Sequence, residues 1–298
     1  MHKAGDKPTR IRVVVATSVM LSFISFLRAA AIVLNDLAST AYYIGGITEQ
    51  AMGKAAPWFI LGVMLFASAV RAVYVESCSM FVRGGVYRVV KEAMGGTLAK
   101  LSVSALIFDY ILTGPISGVS AGQYIVGLIN ETARHFGLVG AQSVLLPPNL
   151  TAVAIALAIA LYFWRINIIG IHESSERALR IMQLTGAMTV LMIVWCGSTI
   201  LVRGAALPPL PLPENLHFSD EALGWLKDTP LPSIGLIGLL IALGHSVLAM
   251  SGEESLAQVA RELEHPKIKN LKRAAVVIFV FTMCLTPVVS FFAVMMPP

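Results

Sequence analysis

The chain has 298 residues, of which 56% are hydrophobic and only 13% charged, with a mean hydropathy of +0.77. Soluble domains contain about one quarter charged residues, so this composition excludes a water-soluble enzyme and a disordered chain. Three cysteines without paired spacing exclude a disulfide-stapled module. The formal net charge of +5 does not indicate a nucleic-acid partner, because the basic residues form no cluster on a soluble face. We therefore expect an all-α integral membrane protein whose main partner is the lipid bilayer.

Seven apolar runs have the length of about 20 residues that a membrane-spanning helix needs. They cover residues 13–34, 57–78, 101–129, 150–171, 178–202, 234–250 and 274–296. The first apolar stretch continues with few charges over residues 11–52, which is too long for one helix. We therefore expect this helix to break near residues 35–39.

The distribution of lysine and arginine predicts the orientation of the chain. Sixteen of the 22 basic residues lie on one side, in the N-terminal tail and in the second-to-third, fourth-to-fifth and sixth-to-seventh connections. Four lie on the other side, and Arg28 and Arg71 lie within spans, where we expect them to extend toward an interface. Because cytoplasmic loops carry an excess of basic residues, the N-terminus is predicted to be cytoplasmic, in a multi-pass protein of the cell (inner) membrane.

Sequence motifs for enzymatic chemistry are missing. The chain has no Walker-type phosphate loop, no HExxH, no GxSxG and no Cys/His metal spacing. We expect neither an enzyme nor a bound cofactor or metal.

The third span carries a polar face at membrane depth, where polar groups are costly and indicate a functional site. At about 100° per residue, one arc of about 80° contains Asp109, Thr113, Ser117 and Ser120. A separate seam of small residues, Gly114, Gly118 and Gly122, would let another helix approach closely. The alternative is a polar stripe that only bonds to neighbouring helices.

Two further stretches interrupt apolar runs. Residues 35–46 read Asn-Asp-Leu-Ala-Ser-Thr-Ala-Tyr-Tyr-Ile-Gly-Gly, either a helix break or the start of a first external loop covering residues 35–56. In the sixth span, an apolar helix runs into Gly252, Glu253 and Glu254, which could also be ordinary interfacial charges. Discontinuous first and sixth spans are the pattern of a transporter built from inverted five-helix repeats. The first repeat would cover about residues 13–203, and the second would begin at about residue 233.

Three motifs in this order carry a family resemblance. They are Phe-Val-Arg-Gly-Gly-Val-Tyr at 81–87 with Glu-Ala-Met-Gly at 92–95, Asn-Ile-Ile-Gly-Ile-His-Glu-Ser at 167–174, and Ser-Gly-Glu-Glu at 251–254 before an amphipathic segment. The chain resembles the N-terminal part of an amino acid–polyamine–organocation (APC) superfamily permease. The resemblance implies one transporter domain over residues 1–298 with the LeuT-like inverted-repeat fold. Because the second repeat has only its first two helices here, we expect the chain to be a fragment.

The first helix is also similar to another branch of that superfamily. Asp36, Ser39, Thr40 and Tyr43 resemble the Asp-x-x-Ser-Ser-x-x-Tyr motif of KUP-type potassium-uptake proteins. In that case Asp36 and Tyr43 would be K⁺ ligands.

The resemblance implies a secondary active transporter that imports an amino acid or related small organic substrate, coupled to H⁺ or Na⁺, by alternating access. The expected substrate-binding residues are Asp36, Ser39, Thr40, Tyr43, Gly45, Gly46, Thr113, Ala249, Ser251 and Gly252. The expected ion-coupling residues are Asp109, Glu253 and Glu254. The alternatives are KUP-like proton-coupled potassium uptake and a non-transporting membrane scaffold or subunit. Homo-oligomerisation is left open.

Overall fold

The computed structural model describes residues 23–81, 85–138, 140, 143–227, 229 and 235–296. Within these ranges the regular secondary structure is helical. The one β-bridge in the described residues is an isolated parallel bridge between Ile24 and Leu263. The α-helices are α1 Phe26–Leu37, α2 Ile44–Met52, α3 Ala56–Met80, α4 Val86–Met94, α5 Gly96–His135, α6 Pro148–Ile169, α7 Ile171–Arg203, α8 Asp220–Leu223, α9 Gly235–Ser246, α10 Ser255–Val259 and α11 Lys267–Met295.

Six helical segments in the described residues are long and apolar enough to cross a membrane, which confirms an all-α polytopic membrane protein. They are Ala56–Met80, Gly96–His135, Pro148–Ile168, Glu173–Arg203, Gly235–Glu262 and Lys267–Met295. Each corresponds to one predicted run. The first predicted run, residues 13–34, is not among them. Its residues 13–22 lie outside the described part of the chain, and its remainder leads into α1.

The first apolar segment is interrupted between α1 and α2. A 3₁₀ helix, Ala38–Tyr42, follows α1, and Tyr43 (φ −130°) separates it from α2. This break starts later than the predicted 35–39 because Asn35 supports the helix: its Nδ2 donates to Ala31 O at 2.7 Å and to Ala178 O of α7 at 2.8 Å. The alternative of an external loop over residues 35–56 is wrong, since the described segment is mostly helical and Leu37 and Ile44 are fully buried.

The sixth predicted span is interrupted between α9 and α10. A 3₁₀ helix, Val247–Met250, is followed by turn residues in which Gly252 has φ +97°. Glu253 and Glu254 are 2% and 8% exposed, so they are not the interfacial charges that the alternative interpretation required. We call residues 38–43 the first break and residues 247–254 the second break.

The two broken segments pack against each other and against α3 and α11. This helix contacts α3, α1 and the 3₁₀ helix of the first break, while α10 contacts α1 and α3. The main cluster of buried apolar side chains joins the same elements through Leu37, Leu256, Leu271, Ile278 and Leu285. Both breaks therefore lie inside protein, where irregular backbone at membrane depth is tolerated.

The predicted small-residue seam on α5 is confirmed in part. A Cβ at position 118 would lie 3.3 Å from Ala156 Cβ, and one at position 122 would overlap the carbonyl oxygen of Ala152, so α5 and α6 approach closely here. At Gly114 an added Cβ would meet nothing within 4 Å, so this glycine is not part of the seam.

Candidate functional site

The two breaks contact each other directly. Thr40 Oγ1 donates to the carbonyl oxygen of Ala249 at 3.3 Å, and Ser255 Oγ donates to Asp36 Oδ2 at 2.9 Å. Gly252 lies so close to α1 that a Cβ there would be 2.9 Å from Asp36 Cγ. Residues more than 200 positions apart in the chain thus meet where both helices are interrupted.

The polar face of α5 contacts both breaks. Ser251 Oγ donates to Asp109 Oδ2 at 3.1 Å and lies 3.3 Å from Thr113 Oγ1. One helical turn further along α5, Ser117 Oγ lies 3.4 Å from Ser39 Oγ and donates to Tyr43 Oη at 3.5 Å. The two breaks and this face of α5 form one site, which we call the break junction.

The break junction contains three carboxyl groups without a cationic partner in the described residues. Within the described residues, Asp36, Asp109 and Glu254 take part in no ion pair. Glu254 Oε1 is buried and has no hydrogen-bond partner in the same part of the chain. A carboxylate at membrane depth without a cationic partner is costly, and such groups in membrane proteins mark ion pathways and proton relays. The described residues hold no group of three His, Cys, Asp or Glu that could bind a metal ion.

Glu253 differs from its neighbour because it is paired. Arg71 Nε donates to Glu253 Oε2 at 3.0 Å, and Arg71 Nη2 donates to Glu253 Oε1. The side chains of Arg71 and Glu253 are 4% and 2% exposed. The expectation that Arg71 extends toward an interface is therefore wrong. This guanidinium faces the protein interior, since the second break presents a carboxylate there.

A cavity of about 240 Å³ lies beside the first break. We call it the aromatic pocket. Its lining includes Ser39, Tyr42, Tyr43, Ser117, Tyr124 and Phe281. Tyr124 Oη donates to the carbonyl oxygen of Tyr42, which ties α5 to the first break at the edge of this pocket.

A larger cleft of about 1160 Å³ reaches the second break. It lies between the end of α3, α4, the first part of α5, residues 254–261 and the start of α11. Its lining includes Glu254 and Gln258 together with the basic residues Arg88, Arg261 and Lys267. All three basic residues lie in or next to connections for which the charge distribution predicts a cytoplasmic location.

The structure brings most of the predicted site residues together. The predicted residues that line or contact the break junction are Asp36, Ser39, Thr40, Tyr43, Asp109, Thr113, Ala249, Ser251, Gly252 and Glu254. The Cα atom of Gly45 faces α11 instead, where an added Cβ would be 3.2 Å from Ser290 Oγ, and Gly46 is exposed, which leaves their backbone amides as the groups available to the site. The sequence did not predict that Ser255 bonds to Asp36 or that Arg71 pairs with Glu253. For Arg71 a signal was present, because a charged residue within a membrane span indicates a functional or paired position.

The comparison with known families identifies the class of this protein. The sequence profile of a family described as amino acid permease matches residues 24–298, nearly all of the chain. The chain belongs to this amino acid permease family. No protein with a curated description and no solved structure gives a significant match. This permease is a multi-pass membrane transporter of the APC type and not an enzyme.

Proposed function

We propose that this permease is a secondary active transporter that imports an amino acid or a related small organic substrate, coupled to H⁺ or Na⁺, by alternating access. The observation that carries the proposal is the break junction, in which two interrupted helices meet against a polar face of α5. Interrupted helices near the membrane midplane form substrate sites in transporters with inverted repeats. We further propose the LeuT-like arrangement, with one domain over residues 1–298 and repeats at about 13–203 and from 233.

The ends of the interrupted helices suit the two charged groups of an amino acid. The first amides of α2, around Gly45 and Gly46, have no acceptor within their own helix and carry the positive end of its dipole. They would bind the substrate carboxylate, with Ser39, Thr40 and Tyr43 beside it. The carbonyl groups of the second break, from Ala249 to Gly252, would accept hydrogen bonds from the substrate amine. Asp36 and Thr113 would complete the site.

Asp109 and Glu254 are the proposed ion-coupling carboxylates. Both lie at the break junction without a cationic partner in the described residues. The sequence predicts the same role for Glu253, but Arg71 pairs with its carboxylate. A coupling group must gain and lose a proton or cation during the cycle, so the unpaired carboxylates suit the role better than a paired one.

The cleft that reaches Glu254 would be the route between the break junction and the cytoplasm. Its basic lining supports the orientation in which the N-terminus is cytoplasmic in the inner membrane. A K⁺ site formed by Asp36 and Tyr43 stays a prediction of the KUP resemblance. Their described hydrogen bonds go to different hydroxyls, Ser255 and Ser117, which does not favour a shared ion.

Uptake into proteoliposomes tests the proposal. The full-length protein would be reconstituted and supplied with a ¹⁴C-labelled mixture of L-amino acids under an imposed pH or Na⁺ gradient. We expect accumulation only when one of these gradients is present. Asp109→Asn should reduce gradient-driven accumulation at least tenfold while leaving membrane insertion and thermal stability unchanged.

The matched control is Asp220→Asn, which makes the same chemical change at an exposed carboxylate of α8. It should accumulate substrate like the wild type. Wild-type uptake that is the same with and without the pH and Na⁺ gradients would contradict coupling. Uptake by Asp109→Asn at the wild-type level would show that Asp109 has no role in the mechanism.

A further inference from the structure

The Arg71–Glu253 pair joins α3 to the second break in a fixed geometry. The guanidinium donates through Nε and Nη2 to the two carboxylate oxygens, so the pair is bidentate. Both side chains are almost completely buried. A planar two-point contact fixes orientation as well as distance, unlike the single-point contact of a lysine ammonium.

Stability alone does not account for this pair. Removing two charges from water is expensive, and well-packed apolar residues often serve as well or better. Arg71 Nη1 is also buried with no acceptor in the described residues, which adds a further cost. Apolar contacts already join the same elements, since Ile60, Val63 and Met64 of α3 pack with Ala249 of the second break.

The position of Glu253 in the second break indicates what the pair does. Glu253 lies two residues after Ser251, which contacts Asp109, and directly before Glu254. Gly252, between Ser251 and Glu253, has φ +97°, and the backbone here is held by turn hydrogen bonds, Glu253 N to Met250 O at 3.3 Å and Ser255 N to Gly252 O at 3.1 Å, instead of by a regular α-helix. Holding the side chain of Glu253 therefore adds a second constraint on the residues on both sides.

We propose that Arg71 is a positioning residue whose bidentate pair with Glu253 clamps the second break, so that Ser251 faces Asp109 and Glu254 remains the unpaired carboxylate. The clamp rests on the proposed transport function for its purpose, but its structural effect can be measured without transport. It assigns different roles to two adjacent glutamates: Glu253 holds the backbone, and Glu254 exchanges its proton or cation.

Four variants of the full-length protein separate positioning from packing: Arg71→Met, Glu253→Leu, the double variant and Arg71→Lys. Each single apolar substitution leaves one buried charge unpaired and should lower the thermal unfolding temperature. The double variant replaces the pair by apolar side chains and should recover that temperature. We nevertheless expect amide hydrogen exchange at residues 247–254 to be at least tenfold faster than in the wild type, with exchange in α6 unchanged.

Transport gives the second readout of the clamp. In the double variant we expect KM for ¹⁴C-labelled amino acid uptake to rise at least tenfold, even though the protein is stable. Arg71→Lys keeps the charge without the two-point geometry, so we expect several-fold faster exchange at residues 247–254 in that variant. It also provides the exchange measurement if the double variant does not fold.

The outcomes that overturn the clamp are distinct from failure of the transport proposal. Wild-type exchange at residues 247–254 in the double variant, or in Arg71→Lys if the double variant does not fold, would show that the pair only fills space. A stable double variant whose KM for amino acid uptake equals that of the wild type would also show that the pair does not position the second break. If the wild type takes up no labelled amino acid, the proposed function fails, and hydrogen exchange still decides whether Arg71 positions the second break.

Discussion

Gly252 is the residue at which the second break comes closest to α1. Its φ of +97° is rarely adopted by residues with a side chain, and an added Cβ would lie 2.9 Å from Asp36 Oδ2 and 3.0 Å from Leu37 N. Backbone strain and steric overlap therefore act at the same position. The carboxylate of Asp36 also accepts a hydrogen bond from Ser255, and moving it away from an added Cβ would break this bond.

Gly252→Ala should lower the free energy of unfolding by about 1–3 kcal/mol, because alanine is strained at this φ. It should also reduce amino acid uptake, since Asp36 and the second break must separate to admit the Cβ. Stability would be measured by thermal unfolding in detergent micelles. Gly244→Ala is the matched control, because an added Cβ at that position of α9 meets nothing within 4 Å. Equal unfolding temperatures for the two variants would contradict the close approach at Gly252.

Individual contacts of the site were the least predictable from sequence. The face of α5 that carries Asp109, Thr113 and Ser117 follows from helical periodicity alone. Its partners do not, because the rotation of each neighbouring helix about its axis depends on packing across the whole bundle. The pairing of Arg71 with Glu253, 182 positions apart, and of Asp36 with Ser255, 219 positions apart, could therefore only be seen in the structure.

The pair of helices α5 and α6 shows how small residues set helix spacing. Without a hydrophobic driving force between helices in lipid, close packing stabilises their association. Gly118 and Gly122 lie one turn apart on the face of α5 that contacts Ala156 and Ala152 of α6. Since α5 also carries the polar face of the break junction, its position against α6 helps to place that face.

Gly122→Ala should separate α5 from α6, because its Cβ would overlap backbone atoms of Ala152 that cannot rotate away. We expect a loss of about 1–3 kcal/mol of stability, which is typical of overpacking. Gly127→Ala in the same helix is the control, since nothing lies within 4 Å of its added Cβ. Unfolding temperatures of the two variants would be compared in the same detergent, and an unchanged value for Gly122→Ala would contradict the seam.

The helices themselves were largely predictable, because hydrophobic length specifies a membrane span. The observed helices extend beyond the apolar runs: α5 begins at Gly96 and α11 at Lys267, where polar residues continue the helix outside the apolar part. The break in the first segment was expected to start at Asn35, but the Asn35 side chain bonds to carbonyl groups of its own helix and of α7. Local propensity is overridden here by a tertiary contact.

At the scale of the whole molecule, the break junction lies between the aromatic pocket and the larger cleft. The aromatic pocket adjoins the first break, and the larger cleft reaches Glu254 at the second break. The α5 face runs between them, from Asp109 at the second break to Ser117 at the first. A substrate at the junction would contact both breaks at once, so movement of one broken segment relative to the other could close one route and open another.

The most direct test of this account asks whether substrate occupies the break junction. Ser251→Cys, in a full-length protein whose Cys78, Cys196 and Cys284 are replaced by alanine, would be labelled with a membrane-permeant maleimide. Ser102→Cys, half-buried on α5 outside the junction as Ser251 is within it, serves as the control. A saturating concentration of a transported amino acid should slow labelling at position 251 several-fold and leave labelling at position 102 unchanged. Equal labelling of position 251 with and without an amino acid that this variant still transports would contradict a substrate site at the break junction.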